Sequence, residues 1–387
     1  MTALVKDITF DKLEFLDKAN NALGVNSIPW RVFFSPGRVN LIGEHLDYNG
    51  GHVLPCALDM GNHIAIRVRQ DTKIRAFSEN FPKYGVFKTD IINEAEVSGT
   101  HWSNFLLGSL KVLKKRPTFG FDMFLLGNLP NGSGLSSSAS VTCGMIYAMS
   151  EVFELGIERK EIALAAQAVE NIHIGVNTGI MDQYSILFGV EDHATYIDTL
   201  NLTHELYPLI LGDYALVISN TNKKRALQNS QYNDRRAACE AAEKLLERPI
   251  AGVDPVVVSK LPLPMNVLEK AIYVAEEEIR TKEAVLALSN NDLQRFAVLM
   301  NESHQGLRDK FKVTGEELDT LSDLMKKHGA IGSRMTGAGF GGCTVSLIPE
   351  KGLDEALKKV TEEYKNIIGY APDHYRAIPS NGTKEVL

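Results

Sequence analysis

The sequence lacks closely spaced cysteines, long apolar runs and an excess of positive charge. No two cysteines have the spacing of a zinc site or a redox motif, so we expect free thiols. No apolar run approaches the length of a membrane span, and the N-terminus lacks the apolar core of a secretory signal. A net charge of -7 argues against nucleic acid as the main partner, because phosphate-backbone binding normally appears as a basic surface. We therefore expect a cytoplasmic protein that binds neither nucleic acid nor membrane. The four cysteines are Cys56, Cys143, Cys239 and Cys343.

The length of 387 residues exceeds that of a typical single domain and predicts two lobes that share a cleft. Hydrophobic residues make up 44% of the chain and charged residues 23%, as in an average globular protein. Each lobe can therefore bury its own core. We place an N-terminal lobe at residues 1–204 and a C-terminal lobe at residues 205–387, with the boundary in the polar stretch at residues 201–205.

Apolar periodicity predicts a mixture of helices and strands. Residues 13–23 have helical spacing, whereas Ile64, Ile66 and Val68 alternate with arginines, as expected for a half-buried strand. Apolar residues at 318–325 predict a helix that ends at Gly329. We predict further helices at residues 139–153, 159–170, 225–248, 267–288 and 293–300, and strands at residues 196–198, 215–219 and 343–348.

A first notable segment, residues 37–51, reads GRVNLIGEHLDYNGG and places charged and polar side chains between glycines. A polar turn after a strand would explain Asp47, Asn49 and Gly50, which are good turn formers. Such a turn would not require Arg38 and Glu44 as well. The segment therefore predicts a site for a polar ligand.

A second segment, residues 130–140, reads PNGSGLSSSAS and leads directly into a predicted helix. Its glycines and the helix N-terminus can direct backbone N–H groups at an anion. It is neither the Gly-Lys-Ser/Thr nucleotide loop nor the dinucleotide Gly-x-Gly-x-x-Gly loop. Taken alone, the segment fits a phosphate cradle and a Ser/Gly-rich linker equally well.

A third segment, residues 332–343, reads GSRMTGAGFGGC. Its glycines would permit close approach of two lobes, or form a flexible turn. Alone, this segment is weak support for a binding site.

Together and in this order, the three segments resemble the signature motifs of the GHMP small-molecule kinases. The first resembles the galactokinase signature within that family, and the resemblance extends through residues 179–183 and Tyr232-Asn233 to the third segment. One residue departs from the pattern, because the family usually has Thr where this chain has Leu46. The resemblance implies an α+β, two-lobed GHMP kinase fold, with a mixed sheet plus helices in each lobe and the active site in the cleft between them.

The resemblance also implies the residues of the reacting centre. Asp182 would accept the proton of the sugar C1 hydroxyl, with Arg38 beside it to keep the carboxylate ionised and to stabilise the transition state. Ser138 and Glu170 match the family's magnesium ligands, and hard oxygen donors of this kind suit Mg²⁺. Without the match, Glu170 would be interpreted as a solvated acid at a helix end.

Substrate contacts follow from the same resemblance. Hexose recognition needs several bidentate or charged partners that the wrong epimer would leave unpaired. The implied sugar-binding residues are Glu44, His45, Leu46, Asp47, Gly179 and Tyr232. The implied ATP-binding residues are Ser78, Gly132, Ser133, Gly134, Leu135, Ser136, Ser137 and Ser138, of which Ser78 is also interpretable as an ordinary turn residue.

The implied reaction is transfer of the γ-phosphoryl group of MgATP to galactose, giving galactose 1-phosphate and ADP, the first step of galactose catabolism by the Leloir pathway. We expect a monomer that binds galactose and ATP. Two alternatives stay open: a non-catalytic sensor that binds galactose and ATP, and a kinase for N-acetylgalactosamine. The Glu44-His45-x-Asp47 cluster opposes mevalonate or homoserine as acceptor, because these molecules lack a ring of hydroxyls.

Overall fold

The computed structural model describes residues 10–91, 101–130, 133–223 and 228–386. The helices are α1 (Lys12–Leu23), α2 (Ser103–Val112), α3 (Ser137–Val152), α4 (Arg159–Ala168), α5 (Met181–Phe188), α6 (Gln228–Leu246), α7 (Pro255–Val258), α8 (Met265–Ser289), α9 (Leu293–Gly306), α10 (Glu316–Lys327) and α11 (Leu353–Ile368). The strands are β1 (Arg31–Asn40), β2 (His52–Val53), β3 (Pro55–Val68), β4 (Lys73–Ser78), β5 (Phe87–Asp90), β6 (Phe121–Gly127), β7 (His193–Asp198), β8 (Thr203–Pro208), β9 (Tyr214–Asn220), β10 (Gly332–Thr336), β11 (Cys343–Pro349), β12 (Asp373–Arg376) and β13 (Lys384–Glu385). The expected α+β architecture is confirmed.

The described strands form three sheets. One has the order β13-β1-β3-β6-β4-β5, a second has the order β10-β11-β9-β12, and a small third sheet has the order β2-β7-β8. The pairs are antiparallel, apart from the parallel pair of β4 and β6. Helix α3 packs on β1 and β3 of the first sheet, and α9 and α10 pack on β10 of the second.

The two larger sheets meet where the candidate site lies. The amide of Asn40, at the end of β1, donates to Oγ1 of Thr336 at the end of β10 (3.1 Å), and this hydroxyl donates back to the Asn40 carbonyl oxygen (3.0 Å). The first and third sequence segments are thereby fixed against each other. None of the described helices combines the length and apolarity that crossing a membrane would require.

Two sequence expectations need correction. Strand β3 is buried on both faces rather than half-buried, because Arg67 forms an ion pair with the buried Asp122 (2.9 Å) and donates to the Gly24 carbonyl oxygen after α1. The polar stretch at residues 201–205, interpreted as a connection between lobes, is partly strand. Strand β8 begins at Thr203 and pairs with β7, so the boundary placed between residues 204 and 205 falls within β8.

Candidate active site

In the loop after β1, the turn at residues 43–46 directs the apolar Leu46 side chain away from the polar side chains on either side of it. His45 has a left-handed backbone conformation (φ 65°), and the amide of Leu46 donates to the Gly43 carbonyl oxygen in a tight turn (3.3 Å). Leu46 is fully buried in the hydrophobic core, whereas Glu44, His45 and Asp47 line a pocket. Leu46, predicted to bind sugar, is therefore not among the residues that line this pocket.

The pocket has a volume of about 200 Å³ and brings together seven of the predicted site residues from four parts of the chain. They are Arg38 at the end of β1, Glu44, His45 and Asp47 in the following loop, Gly179 and Asp182 at the start of α5, and Tyr232 in α6. Gly337 and Ala338, from the loop after β10, complete one wall. This pocket is called the sugar pocket below.

Asp182 lies in the first turn of α5 and is held by two neighbours. The Arg38 guanidinium contacts Oδ1 through Nε (2.9 Å) and Nη2 (2.8 Å), and the Ser136 hydroxyl donates to Oδ2 (2.5 Å). Arg38 also donates through Nη1 to the carbonyl oxygen of Gly134 (2.7 Å). Asp182 is therefore fixed at the border between the sugar pocket and the second sequence segment. The contact of Ser136, which was predicted only as part of the ATP loop, was missed by the sequence analysis.

Glu44 is a buried carboxylate with polar contacts at both of its oxygens. One oxygen accepts from the amide of Gly337 (2.7 Å), and the other accepts from the Asn40 side chain (2.5 Å) and pairs with Arg334 (2.7 Å). Burial raises the pKa of Glu44, and the Arg334 guanidinium opposes this rise.

His45 and Asp47 present the remaining polar groups. Nδ1 of His45 bonds with the Tyr48 hydroxyl (2.9 Å), whereas its buried Nε2 has no partner among the described residues. Burial lowers the pKa of His45 to about 3, so the ring is neutral at physiological pH. Burial, and then repulsion from Asp182, raise the pKa of Asp47 to about 7. A side chain at Gly179 would overlap the Asp47 carboxylate, which explains glycine at that position.

A second pocket lies beside the start of α3. Three predicted ATP-binding residues line it: Ser78 at the end of β4, and Ser137 and Ser138 in the first turn of α3. The Trp102 ring and the Asn62 side chain also line it, although no sequence signal singled out these residues. This pocket is called the nucleotide pocket below.

The second sequence segment opens a helix, as predicted. Gly134 has φ 76° and Ser136 has φ 61°, and these left-handed residues turn the chain into α3. Leu135 and Ser133 are buried, and the Leu135 carbonyl oxygen accepts from the Arg38 amide (3.2 Å). Gly132, also predicted to bind ATP, lies outside the described residues. The free N–H groups of the first turn of α3 are available to an anion.

Glu170 is buried rather than solvated, because it lies in a π-helical turn, Val169–Ile174, that follows α4 and faces α5. Its Oε2 accepts from Gln183 Nε2 (2.5 Å) and from Thr178 Oγ1 (3.3 Å). Burial raises the pKa of Glu170 to about 7, and a hydrogen bond from Ser138 opposes this rise. The interpretation as a solvated helix-end acid is wrong.

Ser138 and Glu170 thus provide adjoining hydroxyl and carboxylate oxygens beside the nucleotide pocket. This hard-oxygen set fits Mg²⁺, which usually keeps several waters and binds substrate phosphates. Within the described part of the chain, no group of three or more His, Cys, Asp or Glu side chains could hold a metal ion. An ion here would depend on two protein oxygens together with phosphate and water.

Comparison with known proteins adds to this geometry. Residues 21–68 match the family model described as the galactokinase galactose-binding signature. Residues 104–190 match the model of the GHMP kinases N-terminal domain, and residues 283–366 match that of the GHMP kinases C-terminal domain.

Curated relatives extend the match over nearly the whole chain. A galactokinase from Clostridium acetobutylicum is 43% identical over 367 residues, which cover 92% of this chain and 94% of the relative. A galactokinase from Clostridium perfringens is 41% identical over 370 residues, which cover 92% and 96%. The chain belongs to the galactokinase family. Its members are ATP-dependent sugar kinases with the GHMP kinase fold, as the resemblance implied.

Solved structures agree with the assignment to the galactokinase family. The crystal structure of Lactococcus lactis galactokinase complexed with galactose is 37% identical, has a TM-score of 0.92 and covers 97% of this chain and 100% of its own. A mevalonate kinase structure is 21% identical with a TM-score of 0.65, covering 90% of this chain and 99% of its own, and shows the shared fold alone.

Proposed function

We propose that the protein transfers the γ-phosphoryl group of MgATP to the C1 hydroxyl of α-D-galactose, which gives α-D-galactose 1-phosphate and ADP. The observation that carries this proposal is Asp182, fixed by Arg38 and Ser136 between the sugar pocket and the start of α3. A sugar hydroxyl on one side and a phosphate on the other would both lie next to this carboxylate. Phosphoryl transfer depends mainly on such positioning and on charge stabilisation.

Asp182 and Arg38 carry the proposed chemistry. As the sugar O1 forms its bond to the γ-phosphorus and the bond from that phosphorus to the leaving oxygen of ADP breaks, Asp182 accepts the hydroxyl proton. Arg38 holds the carboxylate in place through an ion pair, and its buried charge stabilises the negative charge of the transferring group. Both functions require the short contacts seen between the two side chains.

Sugar recognition is proposed for Glu44, His45, Asp47 and Tyr232, together with the backbone at Gly179. The unpartnered Nε2 of His45 is a buried polar atom that a sugar hydroxyl would satisfy. The orientation of Glu44 is fixed before the sugar arrives, so a misplaced epimer hydroxyl would leave it unpaired. Leu46 contributes to this site only through the backbone turn that separates its neighbours.

The nucleotide is proposed to occupy the pocket at the start of α3. The segment Ser133, Gly134, Leu135, Ser136 and Ser137 would offer backbone or hydroxyl donors to the phosphates. Support comes from Ser78, Ser137 and Ser138, which line this pocket. We propose that Ser138 and Glu170 hold Mg²⁺, which when bound supplies charge neutralisation at the phosphates.

We also propose that the protein works as a cytoplasmic monomer. The four cysteines are free and buried, as in proteins of a reducing compartment. Light scattering during size-exclusion chromatography would measure the mass. A value near the chain mass of 42.7 kDa is expected, and one near twice that mass would contradict the monomer.

A product assay tests both the reaction and its position. Phosphorylation at C1 removes the reducing end of the sugar, so each ADP released should accompany the loss of one reducing sugar. ADP release with unchanged reducing sugar would place the phosphate on another hydroxyl. No ADP release with bound galactose would favour the sensor alternative.

A further inference from the structure

Arg334, in the middle of β10, is a completely buried cation behind the sugar pocket. Its Nη2 pairs with Oε2 of Glu44 (2.7 Å), and its Nη1 donates to the carbonyl oxygen of Asn40 (3.2 Å). Neither Arg334 nor Glu44 is more than 1% exposed. A buried charge is unfavourable unless it is paired, so the two side chains depend on each other.

The partners of Glu44 leave its carboxylate a single orientation. Arg334 and Asn40 hold Oε2, while the amide of Gly337 holds Oε1. Burial raises the pKa of this carboxyl, and Arg334 provides the largest opposing influence. Arg334 therefore influences both the orientation and the charge of Glu44, which lines the sugar pocket.

The main chain around Glu44 is held separately by α8. The Glu277 carboxylate accepts from the amide of Gly43 (3.0 Å), and the Tyr273 hydroxyl donates to the carbonyl oxygen of Glu44 (3.2 Å). With the backbone held by these contacts, replacement of Arg334 should release the carboxylate without releasing the loop.

We propose that Arg334 is a positioning residue for sugar recognition, which holds the Glu44 carboxylate aimed into the sugar pocket. Arg334 itself does not line the pocket and acts through Glu44. The inference rests on the proposed function, because it takes Glu44 as a sugar-binding group.

The test compares R334K and R334M with a matched control, R67K. Lysine keeps the charge but cannot hold Glu44 and the Asn40 carbonyl together in the manner of a guanidinium fork. Arg67 is also a buried arginine paired with a buried carboxylate, Asp122, but neither residue lines the sugar pocket or the nucleotide pocket. Galactose affinity is measured by calorimetry without nucleotide, together with KM for MgATP and the melting temperature.

We expect the Kd for galactose to rise about tenfold in R334K and about a hundredfold in R334M, with KM for MgATP changed less than about twofold. R67K should have a lower melting temperature than the wild-type protein but the same Kd for galactose. An unchanged Kd in R334K would overturn the inference. Failure of R334K to fold would also overturn it, since Arg334 would then be a structural residue.

A double-mutant cycle with E44Q separates positioning from general damage. If Arg334 acts through Glu44, R334K in the E44Q background should change galactose affinity less than about twofold. Additive losses in the double variant would contradict the inference. A wild-type protein that binds no galactose would instead contradict the proposed function, so the two failures are distinguishable.

Discussion

The sugar pocket and the nucleotide pocket differ in the chemical groups that surround them. Two arginine–carboxylate pairs border the sugar pocket: Arg38 with Asp182, which line it, and Glu44 with Arg334, which lies behind it. The nucleotide pocket is lined by serine hydroxyls, amides, apolar side chains and the Trp102 ring. In the proposed function, the groups that distinguish one hydroxyl pattern from another are charged and held by their partners, whereas backbone N–H groups and a helix N-terminus bind the phosphates.

This difference predicts unequal sensitivity to substitution. Removal of one partner from a buried charged pair leaves the other uncompensated, whereas removal of a hydroxyl from a site rich in backbone donors removes one contact among several. Substitutions in the sugar pocket should therefore have larger effects than those in the nucleotide pocket.

The largest effect is expected for Asp182→Asn. An amide cannot accept the hydroxyl proton, so kcat should fall about 10³-fold, while galactose affinity changes little. Steady-state kinetics across pH would measure this. Near-full activity with an unchanged pH profile would show that Asp182 is not the base.

The second-largest effect on activity is expected for Gly179→Ala. The added methyl would overlap the Asp47 carboxylate, and displacement of this group should lower kcat/KM for galactose about 100-fold. KM for MgATP serves as the internal control and should stay near the wild-type value. An equal loss on both substrates would mean that the two pockets are not separable in this way.

Ser138→Ala should have a smaller effect confined to the nucleotide side. Loss of one hard-oxygen donor should raise KM for MgATP, and the Mg²⁺ concentration needed for half-maximal rate, about tenfold. Galactose affinity without nucleotide should not change. An unaltered Mg²⁺ dependence would remove Ser138 from the proposed magnesium site.

The Asp47 carboxyl gives a pH signature of the sugar pocket. Burial raises its pKa to about 7 from 3.8, so between these values the folded protein keeps a proton that the unfolded chain has lost. Stability of the ligand-free protein should therefore decline as pH rises toward about 7. Asp47→Asn should remove part of the decline and raise the melting temperature at pH 8 by about 2 °C or more.

Asp71→Asn is the matched control for this pH experiment. Arg69 lowers the pKa of Asp71 to about 2, so this carboxyl is ionised in both the folded and the unfolded chain above about pH 5. Its replacement should therefore leave the change of stability with pH as it is in the wild-type protein. If the stability of Asp47→Asn declined with pH as steeply as that of the wild-type protein, the decline would not come from the buried Asp47 carboxyl.

Leu46→Thr should have the smallest effect on activity. Leu46 is buried in the core, so the family's usual threonine should change galactose KM less than about twofold. Burial of a hydroxyl should still lower the free energy of unfolding by about 1–3 kcal/mol. Denaturant unfolding measures that change, and a changed sugar preference would place residue 46 in recognition.

Much of the fold could be predicted from local pattern. The apolar periods of α8 and α10 and the small residues of α3 gave their positions within a few residues, because tertiary packing follows these stripes. Burial of β3 on both faces could not be predicted, since it depends on a distant partner, Asp122, for Arg67.

The candidate site was predictable where a residue belongs to a motif and its side chain acts locally. The sequence could not predict which distant side chains the fold brings into contact. Ser136 contacts Asp182 across 46 positions, and Arg334 contacts Glu44 from the other end of the chain. The sequence did not indicate a place for Trp102 in a pocket, because an isolated tryptophan is typical of any hydrophobic core.

In the proposed function, the two pockets serve one reaction on galactose. The most direct measurement is ADP release from the purified protein with MgATP and, separately, galactose, glucose, N-acetylgalactosamine, mevalonate and homoserine. We expect strong turnover with galactose alone. Turnover with another acceptor in its place, or galactose binding without ADP release, would contradict it.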